Sequence, residues 1–475
     1  MPMLASCLCW LLIAWLLVRD VRRRRSVSAA VWIPVVLVVI LGSRPVSLWL
    51  AGGGDVIQES GNAVKGMGNE ASTSPFDQLF YFCTLAGSLL VAFLRKVKWT
   101  KLFAANTTIV LFYLYFALSV LWSGDPGGSL KRLLKDFGLI FVISVIYSEA
   151  DPLQAIKAVY VRCASVLFPL SVLFIKYFPG YSRIYDVNGD IQITGVTMQK
   201  NSLGELVLIC MLFLFWDCLE ALPIGSRLRW KHLPFDRLAL LAIGAWLLEL
   251  SQSKTALMSL VVGSALMLTR KRFASRTMNR AVLAGALCAP FLLFSSQEFA
   301  SVIAPIVEAL GRNMTFTGRA DIWQQITLKT VNPLIGAGYW NFWGGPGGYA
   351  ISETMKTTVP NAHDGYLDIY IDGGFIGLAI LFVMLVARGN RIINASWLQR
   401  RNVDRFMRVR FAFLIVAILY NLSESAFSRM GLIWFTTLLM LLEFPKNALA
   451  ARIQGTLPKT AERIPDHQAR AFANF

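Results

Sequence analysis

Hydrophobic positions in this chain come in solid runs, not in alternation with polar ones. The runs lie near 3–18, 27–42, 79–94, 103–121, 133–148, 158–175, 202–220, 238–250, 255–269, 281–296, 366–387, 411–423 and 430–443. A bilayer core of ~30 Å takes about 20 helical residues to cross, and solid apolar runs suit helices, whereas the strands of a membrane barrel alternate. The pattern predicts an all-α fold: a polytopic transmembrane bundle of about 12–13 spans with one large outward loop. It divides into N-terminal membrane helices (1–118), a membrane core with short outward loops (119–296), the large loop (297–365), C-terminal membrane helices (366–443) and a polar cytoplasmic tail (444–475). No tandem repeat or low-complexity stretch interrupts it.

Composition agrees: 56% of the 475 residues are hydrophobic and only 16% charged, which excludes an ordinary soluble globule. The net charge of +18 would suit a nucleic-acid partner if it were clustered on a folded face. Instead, 31 of the 46 Lys and Arg residues fall in alternate polar stretches: 19–25, 95–101, 149–157, 217–237, 270–280, 388–410 and the tail. By the positive-inside rule these are cytoplasmic, the N-terminus faces out, and the 297–365 loop faces out with it. Arg162 is left inside a span. All seven cysteines lie in apolar runs and read as buried small hydrophobes, not as disulfides or metal ligands. Cys7 follows Leu-Ala-Ser like a lipoprotein box, but too close to the start for a cleaved leader.

The chemistry is concentrated outside. Within the large loop, LGRNMTFTGRADIWQQITLKTVNP places Arg312 and Arg319 beside Thr317, an N-cap candidate for a helix running to about Val331. Arginines at a helix N-terminus suit a phosphate or diphosphate; the plainer reading is contact with lipid headgroups or nearby carbonyls. His363 ends this loop in NAHDGYLDIYIDGGFIGL, the only histidine on the outward side, since His232 and His467 fall in cytoplasmic segments. It reads either as a polar residue at a wet boundary or as a general base whose tautomer Asp364 could fix. Asp368 and Asp372 continue down one helical face, and acids inside a span usually face a cavity or the bundle interior. Gly373 and Gly377 form a GxxxG step for close helix approach. Asp186, Asn188 and Asp190 echo a calcium loop, but the glycine is misplaced and no closing glutamate follows, so an Asx-type turn is the better reading. No phosphate-binding loop, serine elbow or dinucleotide fingerprint is present.

In order along the chain, WSGDPGGSLKR, GVTMQKNSLG, SQSKTAL, LGRNMTFTGRADIW, NPLIGAGYWNFW and AHDGYLDIYIDGGFIGL resemble the O-antigen ligase superfamily, which includes exopolysaccharide polymerases of the ExoQ type. The likeness runs from about 119 to 380. It implies a metal-independent, inverting membrane glycosyltransferase of a bacterial inner membrane, working at the periplasmic face with no cofactor. It would transfer glycan from an undecaprenyl-diphosphate carrier to an acceptor glycan or lipid A core, among membrane lipids and other assembly proteins. His363 matches the catalytic histidine and Arg319 the diphosphate-binding arginine. Arg312, Lys254, Lys200 and Arg183 would add positive charge, with Asp364 and Asp368 lining the acceptor route. The ligases carry arginine where this chain has Lys254, and the added Arg312 favours the polymerase branch. The rival readings are a lipid-linked-sugar transporter or flippase, and a non-catalytic scaffold.

Overall fold

The computed structural model describes residues 2–51, 74–185, 189–221, 234–269, 275–295, 319–327, 331–398 and 401–444. Its longer helices are α1 (Pro2–Arg23), α2 (Trp32–Leu41), α3 (Pro75–Leu94), α4 (Trp99–Ala105), α5 (Thr107–Ser119), α6 (Pro126–Tyr147), α7 (Pro152–Tyr177), α8 (Lys200–Ala221), α9 (Phe235–Ser251), α10 (Lys254–Leu268), α11 (Arg276–Ser295), α12 (Arg319–Thr327), α13 (Pro346–Thr354), α14 (Gly365–Leu398), α15 (Arg401–Tyr420) and α16 (Leu432–Leu441). One small hairpin, β1 (Arg183–Tyr185) with β2 (Ile191–Ile193), joins α7 to α8. The all-helical membrane fold expected from hydropathy is present.

Each of the thirteen apolar runs falls on a helix, but among the described residues only α1, α3, α7, α8 and α14 are long and apolar enough to cross alone. A sixth crossing would combine α4 and α5, which bend by 94° at Asn106. That side chain closes the bend: Nδ2 donates to the carbonyls of Leu102 (2.7 Å) and Glu443 (2.8 Å), and Oδ1 accepts the Glu443 amide. The shorter apolar helices α2, α10 and α16 fall below that length. All ten residues of α16 are buried, so it needs no bilayer-length run.

The core is built from α7, α8, α15 and α16. The most apolar window of α7 is 83% buried and that of α8 72%, against 22% for α1 and 17% for α3, whose leucines and phenylalanines face outward. Tyr160 and Phe213 stack at 3.7 Å across α7 and α8, and Phe213 stacks on Phe413 of α15 at 4.5 Å. Four cysteines are buried in this packing; Cys7, Cys83 and Cys288 are exposed, contrary to expectation, because their helices lie at the rim.

The polar stretches gather at two opposite ends. At one, Arg95 meets Glu149 (2.5 Å), Arg24 meets Asp20 and Asp217 (3.0 and 2.7 Å), and Arg237 meets Asp20 (2.7 Å). Arg162, odd within a span, completes this cluster through its Nε, 2.9 Å from Asp20. At the other, the Ser47 amide reaches Asp77 (3.1 Å), the Asp125 amide reaches Asn341 (3.1 Å), and Thr255 meets Ser423 (2.7 Å). Segments assigned to one side by alternation thus do meet one another.

Candidate functional site

His363 stands where the large loop enters α14. Its backbone is left-handed (φ 51°), its amide donates to Asn361 Oδ1 at 2.9 Å, and Asn421 O accepts the amide of Gly365 at 2.9 Å. A Cβ at Gly365 would lie 1.9 Å from Asn421 Oδ1, so the turn admits only glycine there. Such held, sparsely populated backbone is characteristic of functional loops.

The carboxylate facing the imidazole belongs to Glu424, not to Asp364. Glu424 Oε2 lies 3.5 Å from His363 Nδ1. Asp364 is buried and caps α14, its Oδ1 accepting the amides of Tyr366 and Leu367, both at 2.8 Å. An acid immediately before a helix is pulled toward the free N–H groups of the first turn. The carboxylate facing the imidazole is thus supplied by the α15–α16 connection.

That connection also draws the other motifs in. Asn201, at the start of α8, donates from Nδ2 to Glu424 Oε1 at 2.8 Å. Thr255, at the start of α10, bonds Ser423. The two helix starts are packed so tightly that a Cβ on Gly204 would lie 2.5 Å from the Ser253 Cβ. On the far side, Trp323 of α12 donates its indole N–H to the carbonyl of Ala362 at 2.9 Å. QKN, SKT, RADIW and AHDG thus meet at one corner.

Lys200 opens α8, Lys254 opens α10, and the described part of α12 opens at Arg319, whose side chain lies outside the described residues. A cation in the first turn opposes the helix dipole by about 0.3–1 kcal/mol. Lys200 and Lys254 thus stand at helix starts, where free N–H groups already carry partial positive charge.

Asp368 does not face open space. Its Oδ1 accepts Trp343 Nε1 (2.8 Å) and the Ala362 amide (3.2 Å), while Oδ2 takes the Ser425 hydroxyl and pairs with Arg429 Nη2 (3.2 Å). Arg429 also reaches Asp372 (3.1 Å) and lies 4.3 Å from the Trp340 ring centroid. These acids hold the loop bearing His363. Arg183 is exposed on the hairpin, and its Nη2 turns back to the Ile175 carbonyl at 3.5 Å. The segments flanking the hairpin are pinned by buried Arg44, which donates to the carbonyls of Tyr181, Gly195 and Thr197; burial lowers its pKa to about 10, so it stays charged at neutral pH. Arg312, Thr317, Asp186, Asn188, His232 and His467 lie outside the described residues.

Within α14 the helix breaks at Gly374 (φ 61°, ψ −163°). The loop 333–338 closes the break: Ala337 and Gly338 donate to the carbonyls of Ile371 and Asp372 (2.8 and 3.0 Å), and Phe375 and Ile376 donate to those of Pro333 and Leu334 (2.8 and 3.1 Å). Gly373 and Gly377 admit α5, a Cβ on either falling 2.9–3.2 Å from the rings of Phe116 or Tyr115. WSGDPGG packs on the outer side of the same loop, with Trp122 Nε1 on the Ile335 carbonyl (3.2 Å) and Ser129 on that of Tyr339 (2.6 Å).

Residues 238–382, the stretch holding Lys254, Arg319 and His363, match the family model described as O-antigen ligase. Over that stretch the chain is similar to the O-antigen ligase family. It is also 25% identical over 300 residues to the exopolysaccharide production protein ExoQ of Rhizobium meliloti (strain 1021), a match covering 60% of this chain and 64%, just under two thirds, of that protein. Glu424, Asn201 and Arg429 escaped sequence reading. Asn201 stood within a quoted motif, whereas the only signal for the other two was a polar stretch, NLSESAFSR, which begins inside the run 411–423 and ends where the last run starts.

Proposed function

We propose that this protein is a membrane glycosyltransferase of surface or exopolysaccharide assembly. It passes a glycan from a polyprenyl-diphosphate carrier to the hydroxyl of an acceptor glycan at the outer, periplasmic face of the bacterial inner membrane. The observation that carries the reading is the meeting of His363 with the cation-bearing starts of α8, α10 and α12 at one end of the bundle.

Diphosphate is already a good leaving group, so the protein's task is to hold its charge and align the reactants. Arg319, Lys254 and Lys200 hold the diphosphate, with Arg312 and Arg183 as further cations from the flanking loops. His363 takes the proton of the acceptor hydroxyl as that oxygen bonds the anomeric carbon. The bond from that carbon to the diphosphate breaks, and its electron pair leaves with the carrier. Attack from the face opposite the diphosphate inverts the anomeric centre, and the fixed cations do the work a metal would otherwise do. Asp364 and Asp368 serve by shaping the His363 turn. The presence of Arg312 favours polymerisation over ligation to lipid A core.

The broken helix α14 is the feature that would suit a transporter. Its freed backbone groups, however, are taken by residues 333–338, which leaves none of those four to coordinate a passenger. A test that separates the two is transfer in proteoliposomes without ATP, using lipid-linked glycan extracted from cells lacking the chain. His363→Ala should lower product formation by about 10²–10⁴-fold with the protein still folded. Wild-type product yield from that variant would remove His363 as the base.

A further inference from the structure

We infer that Glu424 is a positioning residue that fixes the tautomer of His363, and that Asn201 holds Glu424 in the orientation required; this rests on the reading of His363 as the base. A histidine can take a proton through one ring nitrogen only if the other carries the hydrogen. His363 Nδ1 is buried and without a hydrogen bond among the described residues, and the carboxylate beside it is Glu424 Oε2 at 3.5 Å. The 27% exposure the side chain retains lies away from Nδ1. A hydrogen on Nδ1 therefore points at the carboxylate, and Nε2 is the nitrogen that meets an acceptor hydroxyl. At 3.5 Å the pair is looser than a formed hydrogen bond, as is common before reactants tighten such a site.

Glu424 is itself held. Asn201 Nδ2 donates to Oε1, which leaves Oε2 for the imidazole. The turn that carries Glu424 is fixed by Asn421, whose Oδ1 accepts the amides of Ala426 (2.9 Å) and Phe427 (2.8 Å), and by Ser425 on Asp368. Base, orienting carboxylate and the amide behind it thus come from three separate elements: the loop before α14, the α15–α16 connection and the start of α8.

The test uses the full chain in lipid nanodiscs, labelled with 15N-histidine, with His232→Gln and His467→Gln so that His363 is the sole signal among the chain's three histidines. At about pH 8.5, where a histidine is neutral, the wild-type ring should carry its hydrogen on Nδ1. Glu424→Gln, nearly isosteric and still able to accept from Asn201, should raise the Nε2–H population several-fold. It should also lower turnover of the lipid-linked glycan about 10²-fold, with KM for that donor within about two-fold. Glu424→Asp should recover part of the turnover. Asn201→Leu, which frees the carboxylate while leaving it in place, should shift the tautomer the same way. An unchanged tautomer and turnover in Glu424→Gln, with His363→Ala inactive, would overturn this pairing and leave the base intact. Activity in His363→Ala would instead remove the base, whatever the tautomer shows.

Discussion

Arg429 illustrates how a single side chain organises the residues around His363. It pairs with Asp372 and Asp368 at 3.1 and 3.2 Å and lies against Trp340. Burial disfavours its charge, yet Asp372 and Asp368 more than offset this and hold its pKa above the ordinary arginine value. Replacement by alanine would leave two buried carboxylates without their cation, a loss of ~3–5 kcal/mol. The expected readout is a marked fall in the thermal unfolding midpoint of the detergent-solubilised protein. Arg429→Lys should recover only part of it, because one ammonium cannot span two carboxylates as a planar guanidinium does. The sequence marked Asp368 and Asp372 as one acidic helix face, and that face exists. Their partner was not legible, because it arrives from 57 residues further on, in a loop whose composition resembles any short turn.

At the scale of elements, α14 departs most from its sequence pattern. The run 366–387 is apolar apart from Asp368 and Asp372 and reads as one span, and Gly373 and Gly377 read as a packing step. Packing against α5 is real, but Gly374 also turns the backbone to φ 61°, ψ −163°, a region that side chains other than hydrogen rarely enter. A Cβ there would lie 2.3 Å from the carbonyl carbon of Leu334. Hydropathy hides the break because the loop that seals it, NPLIGAG, is distant in sequence and supplies backbone groups, not side chains. Gly374→Ala should therefore lower stability by ~2 kcal/mol or more, from backbone strain plus collision with a neighbouring main chain. Gly377→Ala, whose Cβ would meet the movable Tyr115 ring at 3.2 Å, should do much less. Equal midpoints for the two variants would refute the account of the break.

For the whole molecule, the decisive arrangement is that the basic majority and the His363 corner occupy opposite ends. The ion cluster of Asp20, Arg24, Arg162, Asp217 and Arg237 ties α1, α7, α8 and α9 together at one end. There, each of these carboxylates is already matched by arginine, and a surrounding positive excess is the pattern the positive-inside rule associates with cytoplasmic loops. Helix starts carry cations at both ends, Arg276 and Arg401 at this one and Lys200 and Lys254 at the other, and it is the other that holds His363. A diphosphate headgroup in the outer leaflet would meet only this second end. Sidedness is therefore a condition of the proposed reaction, and it can be read directly. In a background with the seven native cysteines replaced by alanine, Gly180→Cys lies in the exposed turn before the hairpin, and Lys98→Cys in the exposed loop between α3 and α4. A membrane-impermeant maleimide should label Gly180→Cys in intact spheroplasts, and Lys98→Cys only after lysis. The reverse pattern would place His363 in the cytoplasm and remove the outer-leaflet reaction, while leaving the fold and its pairings unchanged.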